Sequence, residues 1–308
     1  MRRVRLATRG SALALTQARL VARLLERAEP GLRVELRTVR TAGDERAAAP
    51  LEPDDKSRWV REIEHALLEA EADLAVHSAK DVPGELPEGL ALVSVPARAD
   101  ARDALCGARS LEELPRGALV GTSSLRRRAQ LLAVRPDLRV EDLRGNVDTR
   151  LRRLEQGRFA AIVLAKAGLA RLGRADGVPL DVERMTPAPG QGSLALEARS
   201  DDRMTVELAE QVQDAPAALC LTAERSLVRA LGASCRTPVG AYAEHVEGRL
   251  RLSAFVGRPD GSEWIRDGLE GDPGDPVALG LEGAERLRLA GADSLLASAE
   301  AAVAAGAP

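Results

Sequence analysis

The sequence predicts an α/β protein of two lobes joined by a double crossover, followed by a third, smaller α+β domain. Three observations carry that expectation. Strand, polar turn and helix recur in the same order through the first 171 residues, breaker-rich stretches at Pro96 to Asp103 and Thr186 to Gly192 divide the chain, and the pattern changes character near residue 214. The boundaries that follow are 1–97 with 192–213 for domain 1, 98–191 for domain 2 and 214–308 for domain 3. A chain of 308 residues is long for one core, which agrees with several.

Val4 and Leu6 alternate with Arg3 and Arg5 as a strand does, and Thr8-Arg9-Gly10-Ser11 turns into a segment with Leu13, Leu20, Val21 and Leu24 on one helical face. Such a turn aims backbone N–H groups above the sheet, so Arg9 and Ser11 form a candidate anion site, although Ser11 also reads as a plain N-cap. Residues 33–39 alternate as a second strand. Residues 43–58 lose periodicity and read as a lid or mobile loop. Helical spacing returns at Val60, Ile63, Leu67 and Ala70. Leu74-Ala75-Val76 then reads as a short buried strand delivering His77-Ser78-Ala79-Lys80-Asp81 at its carboxyl end, where open α/β sheets bind ligands. Out of that context, Lys80 and Asp81 would be an ordinary solvated ion pair.

The same unit repeats in the second lobe. Leu119-Val120 is a strand, Gly121-Thr122-Ser123-Ser124 a hydroxyl-rich turn, and Leu125, Leu131 and Leu132 begin a helix carrying Arg126, Arg127 and Arg128 in its first turns. Cations there oppose the helix macrodipole, so the fold has no local reason for them, and an anionic ligand would supply one. Val140 and Leu143 form a strand ending in Arg144-Gly145-Asn146, followed by a helix with Arg150 in its first turn and Gly157 as its cap. Ile162-Val163-Leu164 is one more strand, with Arg171 shortly after it. Cations and hydroxyls thus recur after the strands, and arginine's rigid fork suits carboxylates or phosphates. No Walker A loop is present to favour phosphate.

Leu194 to Leu196 reads as a strand that rejoins the first lobe. Residues 215–231 read as helix, Leu250 to Val256 alternate as a strand, and alanine- and leucine-rich helical segments fill much of 276–303. Between them lies Gly232-Ala-Ser-Cys235-Arg236-Thr-Pro238-Val, which places one thiol in a turn beside a cation. A lone cysteine is ordinarily a small buried hydrophobe, but a cation next to a thiol is a setting that can lower its pKa and suit it to be an attachment point or nucleophile.

Composition excludes several classes. A net charge of -3 with aromatics at 2% leaves no strongly basic surface and no stacking platform for nucleic acid. Three scattered cysteines make no disulfide framework, no apolar run reaches the length of a membrane span, and no secretory h-region leads the chain. The expectation is a soluble cytoplasmic protein. His65, His77 and His245 show no metal-ligand spacing, so no metal is expected.

Six words taken together resemble the porphobilinogen deaminase (hydroxymethylbilane synthase) family over almost the full length. They are Leu-Ala-Thr-Arg-Gly-Ser at 6–11, Ala-Val-His-Ser-Ala-Lys-Asp-Val-Pro at 75–83, Gly-Thr-Ser-Ser-Leu-Arg-Arg at 121–127, Leu-Arg-Gly-Asn-Val at 143–147, Gly-Gln-Gly at 190–192, and Cys235 with Pro238 and Gly240. The resemblance implies two lobes built like type II periplasmic binding proteins, and a third domain carrying a dipyrromethane cofactor on a cysteine thioether, here Cys235. It implies condensation of four porphobilinogen molecules, with loss of ammonia, into hydroxymethylbilane. Asp81 falls on the catalytic carboxylate, and Arg9, Ser11, Lys80, Thr122, Ser123, Ser124, Arg126, Arg127, Arg144, Arg150 and Arg171 fall on cofactor- or substrate-binding positions. Arg128 lies one place beyond its motif and is expected to face solvent. A monomer, and hand-over of product to uroporphyrinogen-III synthase, are further implications.

This chain departs from the family pattern in three places. The glycine-rich lid motif is replaced by Pro53-Asp54-Asp55-Lys56-Ser57-Arg58-Trp59, keeping Lys56 and setting Trp59 where the family has a stacking Phe. Ala233-Ser234 replaces the glycine pair before the thiol, and Lys166 replaces a small apolar residue, for which the sequence offers no account. Two other readings compete. A non-catalytic anion-binding or sensor module of the same two-lobed fold would have no use for Cys235, and a nucleic-acid protein built on Arg126 to Arg128 conflicts with the composition.

Overall fold

The computed structural model describes residues 2–41, 57–233 and 237–304, with side chains omitted at 57–59 and 302–304. The chain folds as two compact units, Met1–Ala99 with Gly192–Ala218, and Asp100–Gln191 with Leu219–Pro308.

In the first unit, β1 (Arg2–Arg9), β2 (Leu32–Val39), β3 (Leu74–Ser78), β4 (Leu90–Ser94) and β10 (Leu194–Arg199) form one sheet in the order β2-β1-β3-β10-β4. β1 runs parallel to β2 and β3, and β10 runs antiparallel to β3 and β4. Alternation of side chains gives the sheet two apolar faces. Val4, Leu6, Leu74, Val76, Leu194 and Leu196 pack on α1 (Ala12–Ala28) and α6 (Arg203–Glu210). Ala7 and Ala75 pack on Ile63, Ala66 and Leu67 of α2 (Ser57–Leu68). The helical spacing read through Ala70 overshoots, because α2 ends at Leu68 and Ala70 takes a φ of 54° to turn the chain into β3.

The second unit repeats the scheme. β5 (Asp103–Cys106), β6 (Leu119–Gly121), β7 (Arg139–Glu141), β8 (Ala161–Ala165) and β9 (Val178–Pro179) lie in the order β7-β6-β8-β5-β9. β6 is parallel to β7 and β8, whereas β5 is antiparallel to β8 and β9. Each crossover therefore delivers the chain into an antiparallel strand, β5 in one sheet and β10 in the other. β7 stops at Glu141, so Leu143 lies past the strand, where it fills the core fully buried. α3 (Leu125–Val134), α4 (Val147–Glu155) and α5 (Lys166–Arg171) follow β6, β7 and β8, and Gly157 takes a φ of 72° just beyond α4.

The same unit holds an antiparallel sheet in the order β11-β12-β13, from Val239–Val246, Arg249–Gly257 and Trp264–Gly271. Ala241, Leu250, Leu252 and Val256 meet Leu227 of α7 (Ala215–Ala230), Leu279 and Leu287 of α8 (Pro276–Leu289), and Leu295 of α9 (Ala292–Ala304). No described helix is long and apolar enough to cross a membrane.

Candidate functional site

In the first unit the expected residues gather at one sheet edge. Arg9 ends β1, Ser11 caps α1 by accepting from Ala14 N at 3.3 Å, and Lys80 and Asp81 form a one-turn 3₁₀ helix directly after β3. Because β1 and β3 are parallel neighbours, their carboxyl ends bring these side chains to the same edge. Arg9, Lys80 and Asp81 are all half-buried. The turn is fixed from beneath, since Ala79 N donates to Ser193 O at 3.0 Å and Gln17 Nε2 donates to Ser78 Oγ at 2.9 Å.

In the second unit the hydroxyls organise the turn after β6. Ser124 caps α3 by accepting from Arg127 N at 3.4 Å, and Ser124 N donates to Thr122 Oγ1 at 3.2 Å. Thr122 is buried, and Ser123 and Ser124 are half-buried. Arg126 and Arg127 do have a local reason to be there, contrary to the expectation from the helix dipole. Asp103, the first residue of β5 and fully buried, lies 2.7 Å from Arg126 Nη1 and 2.8 Å from Arg127 Nη2. Arg126 Nη1 also donates to Thr186 O at 2.6 Å, and Arg127 Nη1 to Val163 O at 2.8 Å. One in-fold carboxylate thus offsets one of the two charges, leaving the pair with an excess of about one. Arg128 does not simply face solvent. It is half-buried, with its Nε enclosed and lacking a hydrogen-bond partner among the described residues.

Positive charge accumulates around Arg150. Its Nε donates to Gly145 O at 2.7 Å, and its guanidinium is pushed down to about 10 by burial, then by the like charges of Arg127, Arg144 and Arg153, with Asp142 alone opposing. Arg144 leans on Asp142 at 2.9 Å. Burial likewise pushes Arg171, at the end of α5, down to about 10. A buried guanidinium set among like charges gains stability from an added polyanion, and this arrangement fits a ligand bearing several carboxylates.

Several residues outside the sequence reading hold these parts. Gln191 of the Gly-Gln-Gly word donates to Ala101 O at 2.7 Å and to Asp103 Oδ1 at 2.9 Å. Glu224, fully buried on α7, accepts from Gly190 N at 2.6 Å and from Ala243 N at 2.7 Å, binding the second crossover to β11. Gly240 passes so close to the crossover that a Cβ there would stand 2.8 Å from Thr186 O. Asp103 and Glu224 carry no spacing signal, because their partners lie 23 or more and 19 or more positions away. Lys166 gains an account: its Nζ donates to Gly177 O at 3.0 Å and Asp176 O at 3.4 Å, tying α5 to the turn before β9.

Cys235 and Lys56 lie outside the described residues, as does the side chain of Trp59. The other two cysteines, Cys106 and Cys220, are buried, and burial pushes the Cys106 thiol up to about 11. Among the described residues no group of His, Cys, Asp and Glu is placed to hold a metal ion.

Comparison with known proteins matches residues 4–207 to the family model described as "Porphobilinogen deaminase, dipyromethane cofactor binding domain", and residues 218–288 to "Porphobilinogen deaminase, C-terminal domain". A curated porphobilinogen deaminase of Thermus thermophilus is 48% identical over 96% of this chain and 99% of its own. Those of Brevibacillus brevis and Deinococcus radiodurans are 46% and 45% identical, over 94% and 96% of this chain and 95% and 98% of their own. Among solved structures, substrate binding domain 2 of Lactococcus lactis GlnP aligns at 11% identity over 75% of this chain and 91% of that one, with a TM-score of 0.42.

Proposed function

The chain belongs to the porphobilinogen deaminase family, and from that premise we propose which of its residues carry the family's reaction. The reaction is the transfer that condenses four porphobilinogen molecules, with loss of ammonia, into the linear tetrapyrrole hydroxymethylbilane in porphyrin and heme biosynthesis. The cofactor is dipyrromethane, which when bound supplies a covalent pyrrole primer for the growing chain. The non-catalytic sensor reading is not favoured.

Cys235 is the residue proposed to hold that cofactor through a thioether. Its motif supports this, as does the burial of both other thiols. The cofactor's acetate and propionate groups need several cations in a partly dry setting, which the buried Arg150 guanidinium and the cations beside it offer. That cluster is the observation that carries the site assignment. Arg144, Arg150 and Arg171 would take carboxylates directly. Arg126 and Arg127 would act as a pair whose charge Asp103 half satisfies, with Thr122, Ser123 and Ser124 shaping the turn beside them. Arg9, Ser11 and Lys80 would serve in the same way at the edge of the first sheet. Lys56 and Trp59 remain the lid residues of this proposal.

Asp81 is proposed as the catalytic carboxylate. Loss of ammonia from the aminomethyl group of porphobilinogen develops positive charge on the substrate's pyrrole, and a fixed carboxylate stabilises it. When the new carbon–carbon bond forms, a ring proton must leave, and the same carboxylate can accept it. The proposal also places the enzyme in the cytoplasm as a monomer of three domains, divided at 97/98, 191/192 and 213/214, that hands its product to uroporphyrinogen-III synthase. Incubation with porphobilinogen tests the function: four ammonia molecules released per tetrapyrrole formed supports it, and binding without ammonia release refutes it.

A further inference from the structure

Between α2 and the sheet of the first unit lies a set of titratable side chains that the reaction does not use. Glu64 on α2, His77 on β3 and Glu197 on β10 are 6%, 5% and 0% exposed. His77 Nε2 stands 2.9 Å from Glu197 Oε2. Glu64 Oε1 and both carboxylate oxygens of Glu197 have no hydrogen-bond partner among the described residues. The other charged residues around this layer are Arg61 and Glu62 on α2, Arg199 on the Glu197 face of β10, which donates to Leu67 O and Ala72 O and pairs with Asp202, and, on the face of β1 that carries Ala7, Arg9 and the Arg5 that pairs with Asp73. β4 contributes none.

Two buried carboxylates beside one imidazole carry excess negative charge, which is costly away from water. A proton on Glu64 removes the excess and turns an unsatisfied acceptor into a donor. The Glu64 carboxyl is pushed up to about 7, by burial first and by Glu197 second, against the pull of His77 and Arg61.

We propose that Glu64, His77 and Glu197 hold protons in common as one buried set, and that this set positions the turn bearing Lys80 and Asp81. The inference rests on Asp81 being the catalytic carboxylate. His77 precedes Lys80 by three positions on the same run of chain, and it pairs in register with Ala195 of β10, as Ser78 does with Leu194. Ala79, the first residue of the turn, is anchored on Ser193 at the mouth of β10. The β3–β10 ladder therefore sets the height at which Asp81 leaves the sheet. The His77–Glu197 contact at 2.9 Å links the two strands across that ladder, and Glu64 adds α2 to it.

The test is Glu197→Gln in the cofactor-loaded enzyme, with kcat and KM for porphobilinogen counted per molecule carrying the adduct mass. The amide keeps the size of the side chain but not the charge opposite His77. We expect kcat to fall at least about tenfold with KM within about threefold, and Glu197→Asp to recover most of the loss. A kcat within about threefold of the parent, with only the melting temperature lowered, overturns the positioning role. Should Glu197→Gln fail to accumulate, Glu64→Gln decides. The stabilisation from a Glu64 proton is complete below about pH 4.5 and fades as pH rises through about 7, so the parent's melting temperature should fall relative to the variant's across that window. Parallel melting curves overturn the shared-proton set. Asp81→Asn with undiminished activity would instead remove the catalytic reading, and the two failures are separable.

Discussion

Asp103 Oδ2 receives Arg126 Nη1 at 2.7 Å with both side chains shut away from water, so the first residue of β5 is bonded to the first turn of α3. Arg127 and Gln191 converge on the same carboxylate. The helix start that carries the hydroxyl turn and the crossover that carries Gly-Gln-Gly are thus fixed to one another by a single side chain.

Asp103→Asn should therefore be severe for stability. Breaking a buried charge pair costs about 3–5 kcal/mol, because the remaining guanidiniums keep their desolvation penalty. Burial works against the Asp103 charge, yet Arg126 and Arg127 outweigh it and hold the carboxyl well below the usual carboxylate range. The stabilisation is accordingly present above about pH 3.8, the unfolded value, and is lost as pH falls below it. Urea unfolding at pH 7 and pH 3 should show a large gap between parent and variant that narrows in acid. A gap under about 1 kcal/mol at both would contradict this account.

Arg150→Leu should behave in the opposite way. Removing one member of a like-charged cluster relieves repulsion, so unfolding free energy should stay within about 0.5 kcal/mol or rise. Retention of the cofactor, read by intact mass, and hydroxymethylbilane formation should both fall at least about tenfold, as for the loss of a charge-assisted bond. Arg139→Leu, whose side chain is 72% exposed, should change neither. Equal effects from both variants would show that charge near Arg150 does not serve the ligand.

Asp81→Asn should leave the fold and the adduct in place while ammonia release drops at least about 100-fold, the lower range for a positioned acid–base group. The amide fills the same space but cannot offset a pyrrole cation or take a proton. If Asp81 were only the partner of Lys80, the change would cost about 0–1 kcal/mol of stability and little rate. Steady-state ammonia release within about tenfold of the parent would remove it from the catalytic role.

Much of the recurring strand–turn–helix pattern is legible in the sequence, because alternation at Val4–Leu6 and helical spacing at Leu125–Leu132 are local signals. Long-range pairings are not. Asp103 looked like the end of a breaker-rich stretch, and nothing in its neighbours announces that it starts a four-residue strand and neutralises Arg126. The charge of Arg126 and Arg127, which the helix dipole alone leaves to a ligand, is therefore partly balanced within the fold. Glu64, His77 and Glu197 escaped for the same reason: each alone reads as an ordinary polar residue, and only the β3–β10 pairing and the packing of α2 unite them. Lys166, unexplained by its own segment, acts on carbonyls ten and eleven positions away.

The intact mass of the purified protein tests the central claim most directly. The account predicts a mass exceeding that of the chain by one covalently attached dipyrromethane, with the excess absent from Cys235→Ser. An unmodified mass in a preparation that forms hydroxymethylbilane from porphobilinogen would contradict it.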